Sequence, residues 1–460
     1  MKDFIHVQIP CTELKHVLAG LARVIPRRAT LPILGDVRIA AELDQITFTG
    51  TDLEQVAVYR STSAKILRSG EAVIVEHEKL RSAIESAGTS DVVLEASAES
   101  MRVIRAVAGV EIRSELPMLD TADWPDLPAT VTTEPVDGDF LCQLRRAAKF
   151  ASKDESRRIL NGVALERTER GHYLVATDGR RLTALNSMTL PDGVNCVTPV
   201  TKFLLASKLS GECRIGVGQH HDSPWFQLRM GAWTYMVRTI EGAYPNWRQV
   251  VPDEKGTHVL TFGDDTAAQL KQILTSLAIE DNNRTVALIG SKGGICVSAP
   301  SQVSRKDGGV LLPNTETRGA PITIGLCRDY LMDALEAGFH TFHCKSPDDA
   351  LYAEDGRGGS HVLMPVRLNV TAHEADKPKT DSTPKKENEM KQEAGNPAPV
   401  SSTDKLLAAY EAARTKLREA NDALASVAIA IKEALKEDKQ RRAEIESVRS
   451  GLAKLKAIQV

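Results

Sequence analysis

Alternation of apolar and polar residues is the strongest local pattern before residue 370. The segments WTYMVRTI, from residue 233, and ITFTGTDLEQVAVYR, from residue 46, repeat this alternation over most of their length. A period of two indicates half-buried strands of antiparallel sheets. Longer segments between the strands have helical spacing instead: TELKHVLAGLARVI, FLCQLRRAAKFASK and QLKQILTSLAIED. The pattern therefore predicts an α+β protein in which strands are in the majority.

These elements recur three times along the chain. Each helix-like segment leads into an apolar strand, LPILGDVRIA, ILNGVALE or RTVALIGS, and then into a strand with a turn, ITFTGTDLE, YLVATDGRR or ICVSAPSQV. A second helix-like segment follows in each unit: EHEKLRSAIESAG, TPVTKFLLASKLS and CRDYLMDALEAG. Leu14 and Leu141 are 127 residues apart, and Leu141 and Leu270 are 129 apart. A repeat at this spacing predicts three similar domains in tandem, an arrangement that a single enzyme does not explain.

Composition changes sharply after the third unit. Residues 370–402 combine several prolines with dense charge and almost no large apolar residue, so we expect a disordered linker. Residues 403–458 carry apolar rows at heptad spacing, which become charged at Asp438 and Arg441. A continuous coiled coil, a helical hairpin that turns near residues 437–440 and a single exposed helix all fit this tail. We expect it to recruit a partner or to reinforce assembly.

The remaining chemistry argues against an enzyme. The motifs GxxxxGK[ST], GxSxG and HExxH are absent, and seven widely spaced cysteines without a CxxC pair predict buried free thiols rather than disulfides or a zinc site. Asp52 and Asp178 are expected to bond nearby backbone amides in turns. His220 and His221 are placed in a loop without a metal. We expect no catalytic residue, metal or cofactor.

Bulk properties place the chain among ordinary globular proteins. Its 460 residues, 42% hydrophobic and 26% charged, suit about three domains, and the net charge of −3 neither requires nor excludes nucleic-acid binding. No apolar run reaches the ~20 residues that span a bilayer, and the N-terminus does not resemble a signal peptide. We therefore expect a cytoplasmic protein without membrane contact.

Several motifs resemble those of bacterial sliding clamps, the DNA polymerase III beta subunit family. They are RRATLPILGDVRI with ITFTGTDLE, SRRILNGVALE with LVATDGRRLTAL, IEGAYPNWRQVVP, and HVLMPVRL, in the family's order. The resemblance implies clamp domains at residues 1–132, 133–252 and 253–369, with helices inside and antiparallel sheets outside. It further implies a homodimeric ring around double-stranded DNA, associated with the nucleoid, that tethers a replicative DNA polymerase and other proteins. A clamp loader and proteins with clamp-binding motifs would be its further partners.

Basic residues of the helix-like segments are candidates for phosphate contacts, because a sliding protein needs charge attraction without base readout. By position, Arg28 and Lys202 and the pair Arg157 and Arg158 correspond to DNA contacts of the family. Arg158 and Ile159 stand where many clamps carry aromatic residues, which would weaken stacking on single strands. The full candidate set is Arg28, Arg145, Arg146, Lys149, Arg157, Arg158 and Lys202.

The resemblance also implies a cleft between the second and third domains that binds partner peptides. Leucine, valine, methionine and proline would form an apolar socket, and Gly179 would let a peptide backbone approach closely. Arg180 and Asn283 depart from the residues common in the family, so partner specificity is expected to differ. The matching positions are Leu160, Thr177, Gly179, Arg181, Leu182, Pro245, Val250, Val362, Met364, Pro365, Val366 and Leu368.

The strand VEIRSELP carries charges where clamps commonly place apolar contacts between subunits. A weaker, salt-sensitive dimer is one expectation. The sequence therefore leaves a second function open: a clamp-derived scaffold that organises proteins through its tail and does not load on DNA.

Overall fold

The computed structural model describes residues 4–29, 31–42, 44–85, 90–186, 188–206, 211–276, 284–300 and 309–368. All of them lie within one unit that extends from Met1 to Asp376. The predicted linker (370–402) and helical tail (403–458) lie outside the described residues.

The first segment of the chain contains helices α1, Cys11–Leu21, and α2, His77–Glu85. On α1, Leu14, Val17, Leu18 and Leu21 recur at helical spacing and are fully buried, so this face holds the helix on the sheet. The strands are β1 His6–Pro10, β2 Asp36–Glu42, β3 Gln45–Thr51, β4 Gln55–Ser61, β5 Lys65–Arg68, β6 Gly70–Glu76, β7 Asp91–Ala96, β8 Ser100–Val107 and β9 Val110–Leu119.

The second segment has one described α-helix, α3, Phe140–Ala148. Its buried face consists of Phe140, Leu141, Leu144 and Ala147. The strands are β10 Glu134–Pro135, β11 Gly162–Thr168, β12 Gly171–Thr177, β13 Arg181–Leu185, β14 Cys196–Pro199, β15 Cys213–His220, β16 Ser223–Met230 and β17 Trp233–Arg238.

The third segment repeats the order of the first, with α4, Thr266–Ser276, and α5, Arg328–Glu336. Its strands are β18 His258–Phe262, β19 Thr285–Ser291, β20 Gly294–Ser298, β21 Gly309–Leu311, β22 Thr315–Arg318, β23 Ile322–Cys327, β24 Thr341–Cys344, β25 Leu351–Glu354 and β26 Ser360–Leu363.

Strands of neighbouring segments pair with each other. β4 pairs with β17 and thereby joins the first and second segments in a sheet of 13 described strands. β13 pairs with β26, which joins the second and third segments in a sheet of nine. A further sheet has the order β21-β20-β19-β23. All described strand pairs are antiparallel, as the alternation predicts.

Aromatic packing reinforces the first of these junctions. Trp233 lies edge-on to Tyr59 of the first segment, with ring centroids 4.9 Å apart, and to Phe203 of the second, at 5.3 Å. Gly20 of α1 faces the same indole, and a Cβ atom there would collide with it. The glycine therefore lets α1 approach Trp233 closely, which ties the helix to the paired strands.

Five of the six predicted helices are confirmed, and the sixth is wrong in its described part. Thr201–Ala206 form a turn, while residues 207–210 of the same prediction lie outside the described residues. The hydroxyl of Thr201 accepts a hydrogen bond from the amide of Leu204 and also bonds the hydroxyl of Tyr235. The bond to Leu204 is local and competes with helical backbone bonding, while the bond to Tyr235 holds Thr201 to a distant strand.

Two further expectations are corrected. The first five residues of the predicted strand LPILGDVRIA include a 3-10 helix, Pro32–Gly35, since Pro32 fixes a helical φ at its start. The seven cysteines are free as predicted, but burial is confirmed for Cys11, Cys213 and Cys344 alone; Cys142 is exposed, and Cys196, Cys296 and Cys327 are half-buried. None of the described helices has the length and apolar character that crossing a membrane requires.

Candidate functional site

A tight turn between β12 and β13 begins the candidate cleft. The hydroxyl of Thr177 accepts a hydrogen bond from the amide of Gly179 and donates one to the carbonyl of Arg181, at 3.1 and 2.6 Å. Asp178 accepts from the amides of Arg180 and Arg181, which confirms its predicted role. Gly179 has a φ of +86°, a conformation that glycine adopts without strain.

The same turn occurs in the first segment, which supports the repeat. Thr51 bonds the amide of Leu53 and the carbonyl of Gln55, and Asp52 accepts from the amides of Glu54 and Gln55. Leu53 has a φ of +76° at the position that Gly179 occupies in the second segment. The backbone is thus conserved between the two copies, but only the second copy leaves this position without a side chain.

Paired strands of the second and third segments form the floor of the cleft. Leu182 on β13 lies opposite Val362 on β26, and both are buried with Trp247 in one apolar cluster. Trp247 begins a 3-10 helix, Trp247–Val250, in the YPNWR region of the sequence. Its indole N–H donates to Glu166, at 3.1 Å. Residues far apart in the sequence therefore form one continuous apolar base.

Three further members of the predicted set follow or precede this base closely in the sequence and are exposed apolar residues. Val250 is 53% exposed and Met364 is 46% exposed, and Pro245 is exposed as well. Such exposure of large apolar side chains is typical of a binding surface when the side chains lie together. The buried members of the predicted set are Leu160, Thr177, Arg181, Leu182 and Val362, whereas Pro365, Val366 and Leu368 are half-buried and Gly179 is exposed.

Residues 364–368, which follow β26, are held by backbone hydrogen bonds to the second segment and to β23 of their own segment. The amide of Met364 donates to the carbonyl of Arg180, at 2.9 Å, and the amide of Val366 donates to that of Gly325, at 2.8 Å. Leu368 packs over Gly325, where a Cβ atom would collide with the carbonyl of Val366. The predicted residues 364–368 are therefore positioned by the fold itself, which makes the cleft largely preformed.

Arg181 is largely buried and connects elements of the second and third segments. It is 8% exposed, and its guanidinium forms ion pairs with Asp178, at 3.1 Å, and Asp333 on α5, at 2.6 Å. The same group stacks on Tyr330 and Phe150, 4.2 and 5.1 Å from the ring centroids. This residue thereby connects the turn at residue 178 to the third segment.

Several predicted DNA contacts are exposed cations on neighbouring elements. Lys149 and Arg158 line one groove of about 910 Å³, together with Lys153. Arg28 and Lys202 are exposed on loops of the first and second segments. Arg157 is half exposed and bonds Asp154, at 3.1 Å. Lys149 also lies 3.5 Å from Glu336, an exposed pair that a competing phosphate could replace.

Arg145 and Arg146 differ from the other candidates because their guanidinium groups face the protein. Arg145 donates to the carbonyl oxygens of Leu204 and Ala206. Arg146 is 15% exposed, lies 2.5 Å from Asp355 and donates to the carbonyl of Ala337. The expectation that these two cations are available to phosphates does not fit this geometry. Their spacing on α3 gave the right helix but could not show which cations have internal partners.

Among the free strand edges of the described sheets, those of β9 and β21 are the candidates for pairing between subunits. Residues 110–117 of β9 pair only with β8, and the next two residues alone reach β6. β21 is the terminal strand of its sheet, with Val310 43% and Leu311 57% exposed. On β9, Arg113 and Glu111 form an ion pair with each other, at 2.7 Å. The ion pair offsets Glu111, while Glu115 on the same strand accepts a hydrogen bond from Ser100.

Comparison with known proteins shows which proteins this chain resembles. The family model for the N-terminal domain of the DNA polymerase III beta subunit matches residues 5–128. The beta sliding clamp of Pseudomonas putida is 27% identical over 383 residues, which cover 79% of this chain and 100% of that relative. That of Caulobacter vibrioides is 26% identical over 370 residues, covering 76% and 96%. The first segment thus matches the DNA polymerase III beta subunit family, and the chain is similar to beta sliding clamps over 370–383 residues.

Solved sliding clamps share the fold. A crystal structure of the clamp of C. crescentus aligns with a TM-score of 0.67 at 24% identity, over 79% of this chain and 100% of that one. A structure of the Pseudomonas aeruginosa clamp bound to griselimycin gives a TM-score of 0.67 at 23% identity, with the same coverage. The predicted α+β clamp fold is thus confirmed for the part of the chain that precedes the tail.

Proposed function

We propose that this chain is a sliding clamp, a processivity factor that encircles duplex DNA and tethers a polymerase to it. The observation that carries the proposal is the match to relatives named beta sliding clamp over the full length of the Pseudomonas putida protein. The chain is not an enzyme; its effect on replication is to keep other proteins on DNA. The scaffold alternative lacks support from these relatives.

The clamp domains comprise residues 1–132, 133–252 and 253–369 in this proposal. Arg28, Lys149, Arg157, Arg158 and Lys202 contact phosphates, because they are exposed cations on loops or at a groove. Phosphate contacts supply attraction without base specificity, which is what sliding needs. Arg145 and Arg146 are structural rather than phosphate ligands in this proposal. Arg145 bonds backbone carbonyls within the second segment, and Arg146 connects the second segment to the third.

Partner proteins bind through short apolar peptides in the cleft. Its floor is the pair Leu182 and Val362, and its rim consists of Pro245, Val250 and Met364. A deformable methionine beside a rigid, buried base can receive anchors of different shape. The replicative polymerase, the clamp loader and other proteins with clamp-binding motifs compete for this site.

A ring forms when two chains pair head to tail through the free edges of β9 and β21. Each edge offers unpaired backbone groups, and β21 adds the exposed Val310 and Leu311. Edge-to-edge pairing supplies backbone hydrogen bonds, while apolar contact from β21 supplies burial. The ion pair between Glu111 and Arg113 keeps the charge of β9 low.

Primer extension with a cognate polymerase and clamp loader tests the function. The full chain is expected to increase product length manyfold over polymerase alone. Met364→Lys should abolish the increase, because a charge in the rim is costly to desolvate when a peptide docks. Leu67→Lys is the matched control, since Leu67 is 55% exposed on β5 and away from the cleft set. A wild-type chain that leaves product length unchanged would contradict the proposal.

A further inference from the structure

Three potential metal ligands meet at the connection between the first two segments. His220 and His221 end the hairpin between β15 and β16, and Asp126 lies in the connector that follows β9. The Asp126 carboxylate is 3.9 Å from Nε2 of His220 and 3.6 Å from Nε2 of His221. All three ligand atoms lie within 4.8 Å of one another. The sequence separates these residues by more than ninety positions, so only the fold brings them together.

The connector that carries Asp126 is held by packing and hydrogen bonds on the C-terminal side of this residue. Its neighbour Leu127 packs against the cluster of Val56, Trp225 and Met236. Further along, the amide of Val131 donates to Gln227 and the carbonyl of Val131 accepts from it, at 2.9 and 3.1 Å. The chain directly after Asp126 is therefore held against strands of the first and second segments.

The hairpin presents both imidazoles on one side. His221 has a φ of +51°, a left-handed turn conformation, and its ring centroid lies 4.2 Å from that of His220. His220 is anchored, because its side chain is only 16% exposed and its ring lies edge-on to Trp225. His221 and Asp126 are 74% and 78% exposed, so both can rotate toward a bound ion. One fixed ligand and two adjustable ones thus share a single small volume.

We propose that Asp126, His220 and His221 bind one Zn²⁺ ion. Two imidazoles and a carboxylate match the donor preference of zinc, and three protein ligands leave a fourth tetrahedral position for water. Tetrahedral zinc with bonds of about 2.0–2.1 Å needs ligand atoms about 3.3 Å apart. The aspartate lies 3.6 and 3.9 Å from the two imidazoles and all ligand atoms lie within 4.8 Å, so binding requires the exposed side chains of Asp126 and His221 to move inward by about 1 Å.

The ion fastens the connector to the hairpin of the second segment. This role goes beyond the tethering of polymerases, because it concerns how firmly the first two domains are connected. A ligand that binds only the folded protein stabilises it in proportion to the logarithm of its concentration above Kd. Zinc should therefore raise the thermal midpoint of the chain and slow amide exchange around residues 124–133.

Zinc titration of the metal-free full chain tests the proposal, with isothermal calorimetry for stoichiometry and Co²⁺ absorption for the ligand type. All proteins carry Cys142→Ser, since this exposed thiol would bind zinc independently. We expect one ion per chain, a tenfold or greater loss of affinity in Asp126→Asn and a larger loss in His221→Ala. His340→Ala is the matched control, because His340 also faces a single aspartate, Asp264, at 2.8 Å.

The outcomes separate the site from adventitious binding. Support consists of stoichiometric binding that both cluster variants weaken and the control does not, together with a zinc-dependent rise in thermal midpoint that both variants lose. Equal affinity in the background protein and in both cluster variants would overturn the proposal, since the ion would then be bound elsewhere. Absence of binding up to millimolar zinc would overturn it too.

Discussion

Replacing Asp355 by asparagine should loosen the junction between the second and third domains. The Oδ2 atom of Asp355 accepts from Arg146, at 2.5 Å, while its Oδ1 atom accepts from the amides of Arg357 and Gly359. Burial raises the pKa of this carboxyl, but the bonds from Arg146 and the two amides lower it overall below its ordinary value. Asparagine can retain the amide bonds through Oδ1 but turns an NH₂ group toward the guanidinium of Arg146.

The magnitude follows from burial. The side chains of Arg146 and Asp355 are 15% and 7% exposed, and Arg146 also stacks on Phe339, 4.7 Å from the ring centroid. Removing one partner of a buried ion pair costs about 3–5 kcal/mol. Glu336→Gln breaks the pair between Lys149 and Glu336, whose side chains are 42% and 41% exposed, and exposed pairs contribute about 1 kcal/mol or less.

Thermal unfolding followed by circular dichroism, with amide exchange in β13 and β26, measures the difference. For a domain of this size, 3 kcal/mol corresponds to a fall of ~10 °C in the midpoint. We expect Asp355→Asn to lower the midpoint by about that much and to speed exchange in both strands. Glu336→Gln should change the midpoint by less than about 4 °C. Equal effects of the two substitutions would refute the argument from burial.

Three further predictions concern the buried His361, the proposed DNA contacts Lys149 and Arg158, and the turn at Gly179. His361 is fully buried between Phe150 and Phe339, and burial lowers its pKa from 6.5 to about 3. The unfolded chain therefore binds this proton first, so stability is complete above pH 6.5 and falls by about 1.4 kcal/mol per pH unit below it. His361→Phe should remove that slope in urea unfolding at pH 4–7, and an unchanged slope would assign it to other groups. The double variant Lys149→Gln and Arg158→Gln should bind duplex DNA with a weaker salt dependence. The slope of log affinity against log salt concentration, measured by fluorescence anisotropy, should fall by about 2, since each phosphate contact contributes ~0.9. An unaltered slope would show that neither residue contacts DNA. Gly179→Ala should weaken peptide binding and lower the thermal midpoint of unfolding. The φ of +86° strains alanine, and the new Cβ would lie 2.9 Å from Arg157 Nη1. Unchanged binding and an unchanged midpoint would show that the turn adapts.

Local patterns predicted much of the fold. Period-two alternation located the strands, and helical spacing located α1 to α5 because each of these elements buries its own apolar face. The turn at Asp178 was predictable as well, since its hydrogen bonds connect residues only two or three positions apart. The turn at Thr201–Ala206 was not, because a hydrogen bond to the distant Tyr235 contributes to it.

Contacts between residues far apart in the sequence could not be predicted from local patterns. Nothing local indicates that β4 pairs with β17, or that Asp355 lies beside Arg146. Because of its contact with Asp355, Arg146 is part of a domain junction, although the sequence led us to expect it at DNA. The cluster of Asp126 with two histidines was missed for the same reason, since Asp222, the nearer carboxylate in sequence, is not a member of it.

Retention on DNA tests the central proposal most directly. The chain is loaded by a cognate clamp loader onto nicked circular DNA, and the circle is then cut at a single site. A closed ring that slides should stay on the intact circle and leave the linear product rapidly through its ends. Failure to load, or equally fast loss from both forms, would contradict a topological clamp and favour the scaffold function.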